Sequence, residues 1–381
     1  MRVLQVCYKY PPFFSGYGKQ LETINREIIK ADADVEINVI TAYGVVRKRV
    51  FDHGLTVYAM FKREAGGVSR KYYYLFSLLV LFRYFPLFLR ADVIHIVKAG
   101  PEIIIPTALA RLFNKRVIIK VAQDDLEGLL EDTPGIMRRI RRFFLRHADK
   151  VIALSGKIVE EAEALGVRVE SIKRIPNGVD FNRFNCRETE VSPNQPDARK
   201  FIFMGSISRR KGIEDLLQAL EAYDDDPILF SFYGPLLDIE SFDQRLSKIS
   251  EKGHVIAHYY GSVEQPELKM KEHDCLVLPS YSEGMPNVVL EAMACGLYVI
   301  LSDINVHKEL CEMAKGSCFK VGDPQDLLNK IRSFLSMTID GKTKLLQSQS
   351  IEALASSRSV ADQYISLYRS CGDVRVKERM A

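Results

Sequence analysis

The sequence predicts an α/β protein of two doubly wound, Rossmann-like halves. Three observations carry this. The chain has 381 residues, long for a single core. Short strand-type apolar runs alternate with segments of helical periodicity, and that alternation implies parallel sheets covered by helices. The alternation stops at a polar stretch, residues 185–200, and then resumes.

In the first half, "RVLQVCY" reads as a strand, and "GKQLETINREIIKA" places Leu21, Ile24, Ile28 and Ile29 at helical spacing. "VEINVITAY", "GLTVYAM", "ADVIHIV", "KRVIIKVA" and "DKVIALS" read as further strands, with a helix expected in "PEIIIPTALARLF". In the second half the strand candidates are "KFIFMGS", "ILFSFYG", "VIAHYYG", "CLVLPS" and "YVILS", with helices in "GIEDLLQALEAY" and "PELKMKEH". The division expected is residues 1–184, a linker at 185–200, a second domain at 201–354, and a helix and tail at 355–381 that suit either half.

Composition is that of a folded globular protein, 47% hydrophobic and 27% charged. The seven cysteines are scattered and odd in number, which points to reduced thiols rather than a disulfide framework or zinc site. Pro11 and Pro12 interrupt the N-terminus before an apolar signal region forms, so a cytoplasmic protein is expected. Residues 1–185 carry 30 basic against 20 acidic residues, whereas the remainder carries 23 against 29. The first half is therefore expected to face something anionic.

Two segments of that basic half bear on the partner. Residues 72–90, "YYYLFSLLVLFRYFPLFLR", are apolar and aromatic but broken by Arg83 and Pro86, too interrupted for a spanning helix. They read as a buried helix or as one lying on a membrane surface. "GIMRRIRRFFLRHADK" sets an apolar stripe beside Arg138, Arg139, Arg141, Arg142 and Arg146. Those arginines suit a solvated face or an anionic lipid surface.

The densest chemistry lies in residues 279–296, "PSYSEGMPNVVLEAMACG". A strand ends near Ser280, Pro286 suits the first turn of a helix, and Gly296 ends it. A loop from a strand's C-terminal end into a helix is where open α/β sheets bind ligands. The amides of Gly284, Met285, Asn287 and Val288 would face an anion such as a phosphate. Glu283 cannot bind that anion, since like charges repel, but it can accept from hydroxyls, and so can Glu291. A phosphate flanked by hydroxyl-bearing groups describes a nucleotide sugar.

The E-x7-E spacing of "EGMPNVVLEAMACG" resembles the retaining glycosyltransferases of family 4, which have the GT-B architecture, with two Rossmann-like domains facing a central cleft. "IPNGVDFNRF", "FMGSISRRKG", "VLPSYSEG", "VGDPQDL" and "YPPFFSGYGKQ" are similar to further segments of that family, in its order. The resemblance implies an acceptor-binding first domain and a donor-binding second domain. It assigns Glu283 to hydroxyls of the donor sugar, Glu291 to the ribose and Lys211 to the diphosphate. Gly205, Ser206, Pro286 and Asn177 lie in the matched donor segments, and Gly16 would let backbone approach the phosphates.

Two positions depart from the family pattern. Ser206 stands where an Arg is usual, so Arg209 or Arg210 is expected to serve. Ala122 stands near the usual His, leaving Gln123, Asp124 or Asp125 as acceptor-side candidates or helix caps. No cofactor or metal is expected, and no nucleic acid. The partners implied are a nucleotide-sugar donor, a glycan or lipid-linked acceptor in surface polysaccharide assembly, and an anionic membrane surface. Two alternatives are a sugar-nucleotide epimerase or hydrolase and a catalytically inactive partner subunit.

Several motifs mislead. "GYGKQL" lacks the last Gly of a dinucleotide fingerprint. Asp32 with Asp34, and residues 224–226, resemble metal-binding acidic motifs but fall where helices end. His254 and His258 lie in a strand-type run, which disfavours a helical metal pair.

Overall fold

The computed structural model describes the chain except residues 13–14, 45, 47, 63–69, 101–102, 123–134, 187–197 and 381, and the side chains of a few more. It divides into two units, residues 1–178 with 357–381, and residues 179–356.

The first unit is built on strands β1 (Arg2–Val6), β2 (Glu36–Gly44), β3 (Lys48–Asp52), β4 (Leu55–Lys62), β5 (Val93–Val97), β6 (Arg116–Val121), β7 (Lys150–Ala153) and β8 (Ile172–Arg174). Their order in the sheet is β3-β4-β2-β1-β5-β6-β7-β8. All pairings are parallel except β3–β4, an antiparallel pair that the sequence reading missed. The described helices of this unit are α1 (Gly16–Ala31), α2 (Arg70–Arg90), α3 (Ile104–Leu112), α4 (Gly135–Arg146), α5 (Gly156–Ala164) and the C-terminal α13 (Ser357–Met380).

The second unit has strands β9 (Lys200–Met204), β10 (Ile228–Tyr233), β11 (Val255–Tyr259), β12 (Cys275–Leu278), β13 (Tyr298–Ser302) and β14 (Ser317–Phe319). All are parallel, in the order β11-β10-β9-β12-β13-β14. Helices α6 (Ile213–Glu221), α7 (Phe242–Glu251), α8 (Pro266–Lys271), α9 (Asn287–Ala294), α10 (Asn305–Ala314), α11 (Pro324–Leu335) and α12 (Gly341–Ala355) accompany them. In both sheets the order reverses at the first strand. β1 lies between β2 and β5, and β9 between β10 and β12, which makes the loops after these strands the ligand-binding positions of such folds.

The chain passes between units at 178–179 and at 356–357, and most of the expected linker, residues 187–197, lies outside the described residues. Val179 bridges in parallel to Ser356, with the Val179 amide donating to Ala355 O at 2.7 Å, and this fixes the crossing earlier. α13 packs on α1 through Val360, Ala361, Tyr364, Leu367 and Tyr368, all in the core of the first unit. The C-terminal helix therefore completes the N-terminal sheet.

α2 is not uniformly buried. Phe76 and Phe88 are buried while Phe82 is 80% exposed, and the helix kinks where Tyr84 leaves helical geometry (φ −117°, ψ 22°), ahead of Pro86. Pro86 has no amide to donate to the preceding turn, which accounts for the kink. Among the described residues no helix is long and apolar enough to cross a membrane.

Candidate functional site

The site in the second unit is made by the loops that leave the neighbouring strands β9 and β12. The β9 loop runs through Gly205 and Ser206 into a 3-10 turn, Arg209–Lys211, and then into α6. Gly212 joins turn to helix with φ +69°, and a Cβ there would sit 1.9 Å from Pro279 O. Only glycine suits both the left-handed backbone and that contact. The two loops thus close against each other at backbone level, and the Tyr281 amide donates to Arg210 O at 3.0 Å.

That closure brings the sequence's candidates together. Lys211 Nζ donates to Glu283 Oε1, and both side chains are largely buried, at 12% and 10% exposure. Ser280 Oγ donates to the same carboxylate oxygen at 2.7 Å, and Arg210 Nη1 donates to Ser282 O at 2.7 Å. Burial alone would raise the Glu283 carboxyl, but the Lys211 ammonium, with help from Ser280 and Arg210, outweighs it and holds the group below its ordinary value. Glu283 is therefore an ionised acceptor, and Lys211 a fixed cation, at the C-terminal end of a parallel sheet.

α9 begins at Asn287, with extended Pro286 before it. Gly284, Met285 and Pro286 form the approach, and Asn287 and Val288 open the helix, whose positive end points back to the loop. Glu291 is the fifth helical residue and stands one turn into α9. Gly296 follows the helix with φ +77°.

The structure separates the two arginines proposed to replace the missing one at Ser206. Arg210 turns to the Glu283 loop. Arg209 is exposed and borders a cavity of about 400 Å³ with Leu237, Asp238, Ile239 and Glu240, its amide donating to Asp238 Oδ1 at 2.9 Å. Ser206 Oγ lies 3.4 Å from Ser208 Oγ.

Three residues under the site were missed by the sequence reading. Ser280 is buried, and its reach to Glu283 follows a legible S-x-x-E spacing. Ser302, at the end of β13, donates to Ser280 O at 2.5 Å and lies 3.0 Å from His307 Nδ1. Burial pushes His307 down to about 4, so it is neutral at pH 7 and braces the loop without charge.

Two donor candidates lie in the first unit. Gly16 opens α1, whose cap Ser15 accepts from the Gly18 amide at 2.9 Å. The glycine with a steric requirement here is Gly18, where a Cβ would stand 2.1 Å from Lys9 O. Asn177 is buried, and its Oδ1 accepts from Lys120 Nζ at 3.3 Å. Gln123, Asp124 and Asp125 lie outside the described residues, while neighbouring Ala122 follows β6.

The α4 arginines divide. Arg141 is buried and donates to Ala99 O at 2.8 Å. Arg142 Nε donates to Leu165 O at 3.0 Å, and Arg146 Nε to the same oxygen at 2.5 Å. Arg141 is thereby withdrawn from any surface, whereas Arg142 is half-buried and Arg146 exposed while bonding a carbonyl of their own unit. Arg138 and Arg139 are exposed. The acidic decoys are ion-paired, Asp32 with Arg369 at 2.6 Å and Asp224 with Arg332 at 2.6 Å.

Residues 187–351 match the family described as glycosyl transferases group 1, and residues 15–178 match the glycosyl transferase 4-like domain. The chain belongs to the group 1 glycosyltransferases. Among curated relatives of this glycosyltransferase chain, one of Bacillus subtilis named for teichuronic acid biosynthesis (TuaC) is 33% identical over 166 residues, 41% of this chain and 39% of the relative. The alpha-galactosylglucosyldiacylglycerol synthase of Streptococcus pneumoniae is 25% identical over 193 residues, 47% of this chain and 50% of the relative. The chain thus spans about half or less of the length of these relatives. Anabaena Alr3699/HepE, solved with UDP-glucose, superposes with a TM-score of 0.75 over 97% of this chain and 100% of that one, at 18% identity. At that identity the likeness shows the GT-B fold alone.

Proposed function

We propose that the protein transfers a sugar from a nucleotide diphosphate sugar to a hydroxyl, with retention of anomeric configuration. The observation that carries this is the Lys211–Glu283 pair where the β9 and β12 loops close, with Arg210 beside it. A fixed cation next to an ionised acceptor suits a donor whose diphosphate needs charge and whose sugar needs hydrogen-bond acceptors. On donor binding, the diphosphate competes for Lys211 and releases Glu283 to the sugar hydroxyls, while Glu291 takes the ribose.

In the reaction the sugar C1–oxygen bond breaks and its electron pair goes to the diphosphate. Lys211, Arg210 and the α9 amides stabilise that charge. The acceptor oxygen attacks from the face being vacated and gives its proton to the departing phosphate oxygen. No side chain is assigned as a covalent nucleophile and no step requires a metal. The solved UDP-glucose complex of the structural neighbour supports a nucleotide-sugar donor.

For the acceptor we infer a lipid-linked sugar or growing glycan at the inner face of a membrane. The relatives named for a diacylglycerol glycolipid and for teichuronic acid support this, as does the basic first half. The test is a calorimetric screen against UDP-, GDP- and ADP-sugars, then NMR of the product's anomeric centre with lipid and glycan acceptors. An inverted product sinks the retaining reading. Donor consumption without acceptor selects the hydrolase or epimerase alternative.

A further inference from the structure

Helices α2, α3 and α4 stand side by side in the first unit. Phe85 and Phe88 of α2 meet Phe113, just past α3, with ring centroids 5.5 and 6.1 Å apart, and Arg111 of α3 donates to His147 O, just past α4. Along this row large apolar side chains point to solvent. Phe82 and Leu89 of α2 are 80% and 41% exposed, Leu112 of α3 is 74%, and Ile136 and Phe143 of α4 are 68% and 53%. Ile136 and Phe143 are seven residues apart and form one stripe two turns long on α4, while Phe82 and Leu89 stand on either side of the α2 kink.

Charge selects what covers these residues. "RKYYYLFSLLVLFRYFPLFLR", "IIPTALARL" and "GIMRRIRRFFLR" contain no Asp or Glu at all. Exposed Arg83, Arg90, Arg138 and Arg139 flank the apolar residues. We infer that this three-helix face docks on an anionic lipid bilayer, with Phe82, Leu112, Ile136 and Phe143 entering the headgroup boundary and the arginines meeting lipid phosphates. The inference rests on the membrane reading above and moves the contact from the α4 arginine cluster, three of whose five members bond carbonyls of their own unit, to an apolar face shared by three helices. A protein interface would usually mix both charge signs. A surface with no acid over three helices suits an extended field of one sign.

The chain contains no tryptophan, so one introduced tryptophan reports its own surroundings. Phe82→Trp and Phe143→Trp should each shift emission to the blue on mixing with phosphatidylcholine vesicles containing phosphatidylglycerol, and not with phosphatidylcholine alone. Leu268→Trp, at an exposed apolar position of the second unit, should not shift. Flotation of the full chain with the same vesicles should fall by about tenfold or more in the variant combining Phe82→Ser, Leu112→Ser, Ile136→Ser and Phe143→Ser, with its melting temperature and nucleotide binding kept. If the wild type floats but no tryptophan at 82 or 143 shifts, the face is wrong and the membrane reading stands. If the wild type does not float, both fall, and self-association lost in the serine variant would make the occupant a second copy of this chain.

Discussion

Each unit of the molecule contains a lysine withdrawn from solvent near the C-terminal end of a parallel strand, and the two are treated in opposite ways. Lys211 in the second unit is paired with the Glu283 carboxylate. Lys120 in the first is 3% exposed and meets the Asn177 side-chain oxygen and, at 5.7 Å, the Tyr364 ring, with no carboxylate pairing to it among the described residues. Around it lies a buried polar network that is only partly satisfied, since His95 Nε2 and the Tyr364 hydroxyl find no hydrogen-bond partner among the described residues. Gln5 bonds Asn25 at 2.8 Å and Tyr368 at 3.2 Å, and Tyr368 bonds His95 at 2.8 Å. Of the two lysines, only Lys211 stands on a loop beyond its strand, where the proposed transfer needs a cation. Under α1 and α13 the same residue types serve packing and register.

The largest effect should come from breaking the first of these pairs. Lys211→Met removes a preorganised cation and should lower turnover by roughly 10²–10³-fold. It also leaves Glu283 without its cation, so the melting temperature should fall as well. Steady-state kinetics and calorimetry together check this, and turnover within tenfold of wild type would remove Lys211 from the mechanism.

The two glutamates sharpen the comparison within the site. Glu283→Gln should lower turnover by about 10²-fold with little change in donor affinity. Glu291→Gln should weaken nucleotide binding by about tenfold and leave turnover at saturation nearly intact. Equal and mild effects would reduce both to ordinary loop and helix acids.

The loops of the two units offer a steric contrast. Gly212→Ala forces a left-handed residue against Pro279 O, and Gly18→Ala forces a Cβ against Lys9 O. Each should cost on the order of 2 kcal/mol, or about 4–8 °C in melting temperature. The Gly212 variant should also lose turnover, because its loop carries Lys211.

How far sequence carries can be read at particular residues. Glu283, Lys211 and the α9 start were legible because they sit on loops whose spacing belongs to the chemistry. Gly18 was passed over for Gly16, since the collision with Lys9 O depends on how the β1 loop folds back. Arg141 was read as a surface charge because a helix-period stripe does not reveal that Ala99 O offers a carbonyl beneath it. β3 escaped notice because an edge hairpin leaves only a short, charged signal, "KRVFD". The crossing at 178–179 was invisible because a parallel bridge to Ser356, far along the chain, decides it.

Acid separates the units least. Burial pushes His307 down to about 4, and burial together with Lys120 pushes His95 down to about 3, both from 6.5. Between 4 and 6.5 the unfolded chain binds protons that neither folded unit accepts, so stability should rise with pH across that window and be fully present above it. Glu283 adds a term of the same sign below its ordinary value. Melting curves at pH 5 and 7 check this, and His307→Asn should flatten the slope by about half.

The smallest effect tests the comparison most directly. Burial lowers Lys120 to about 8 from 10.5. Above pH 8 the folded chain sheds a proton that the unfolded chain keeps until about 10.5, so this lysine alone makes stability increase with pH through that window. The penalty of holding the charge at neutral pH is at most about 3 kcal/mol. Lys120→Met keeps the length of the side chain and removes the charge, and should be neutral or stabilising by about 1 kcal/mol at pH 7. It should also make stability fall more steeply between pH 8 and 10, where the Cys275, Cys295 and Cys371 thiols, all raised by burial, oppose the lysine in the wild type. A marked loss of stability in this variant would show that the Lys120–Asn177 bond holds the first unit together, and the contrast between the two lysines would then be one of degree.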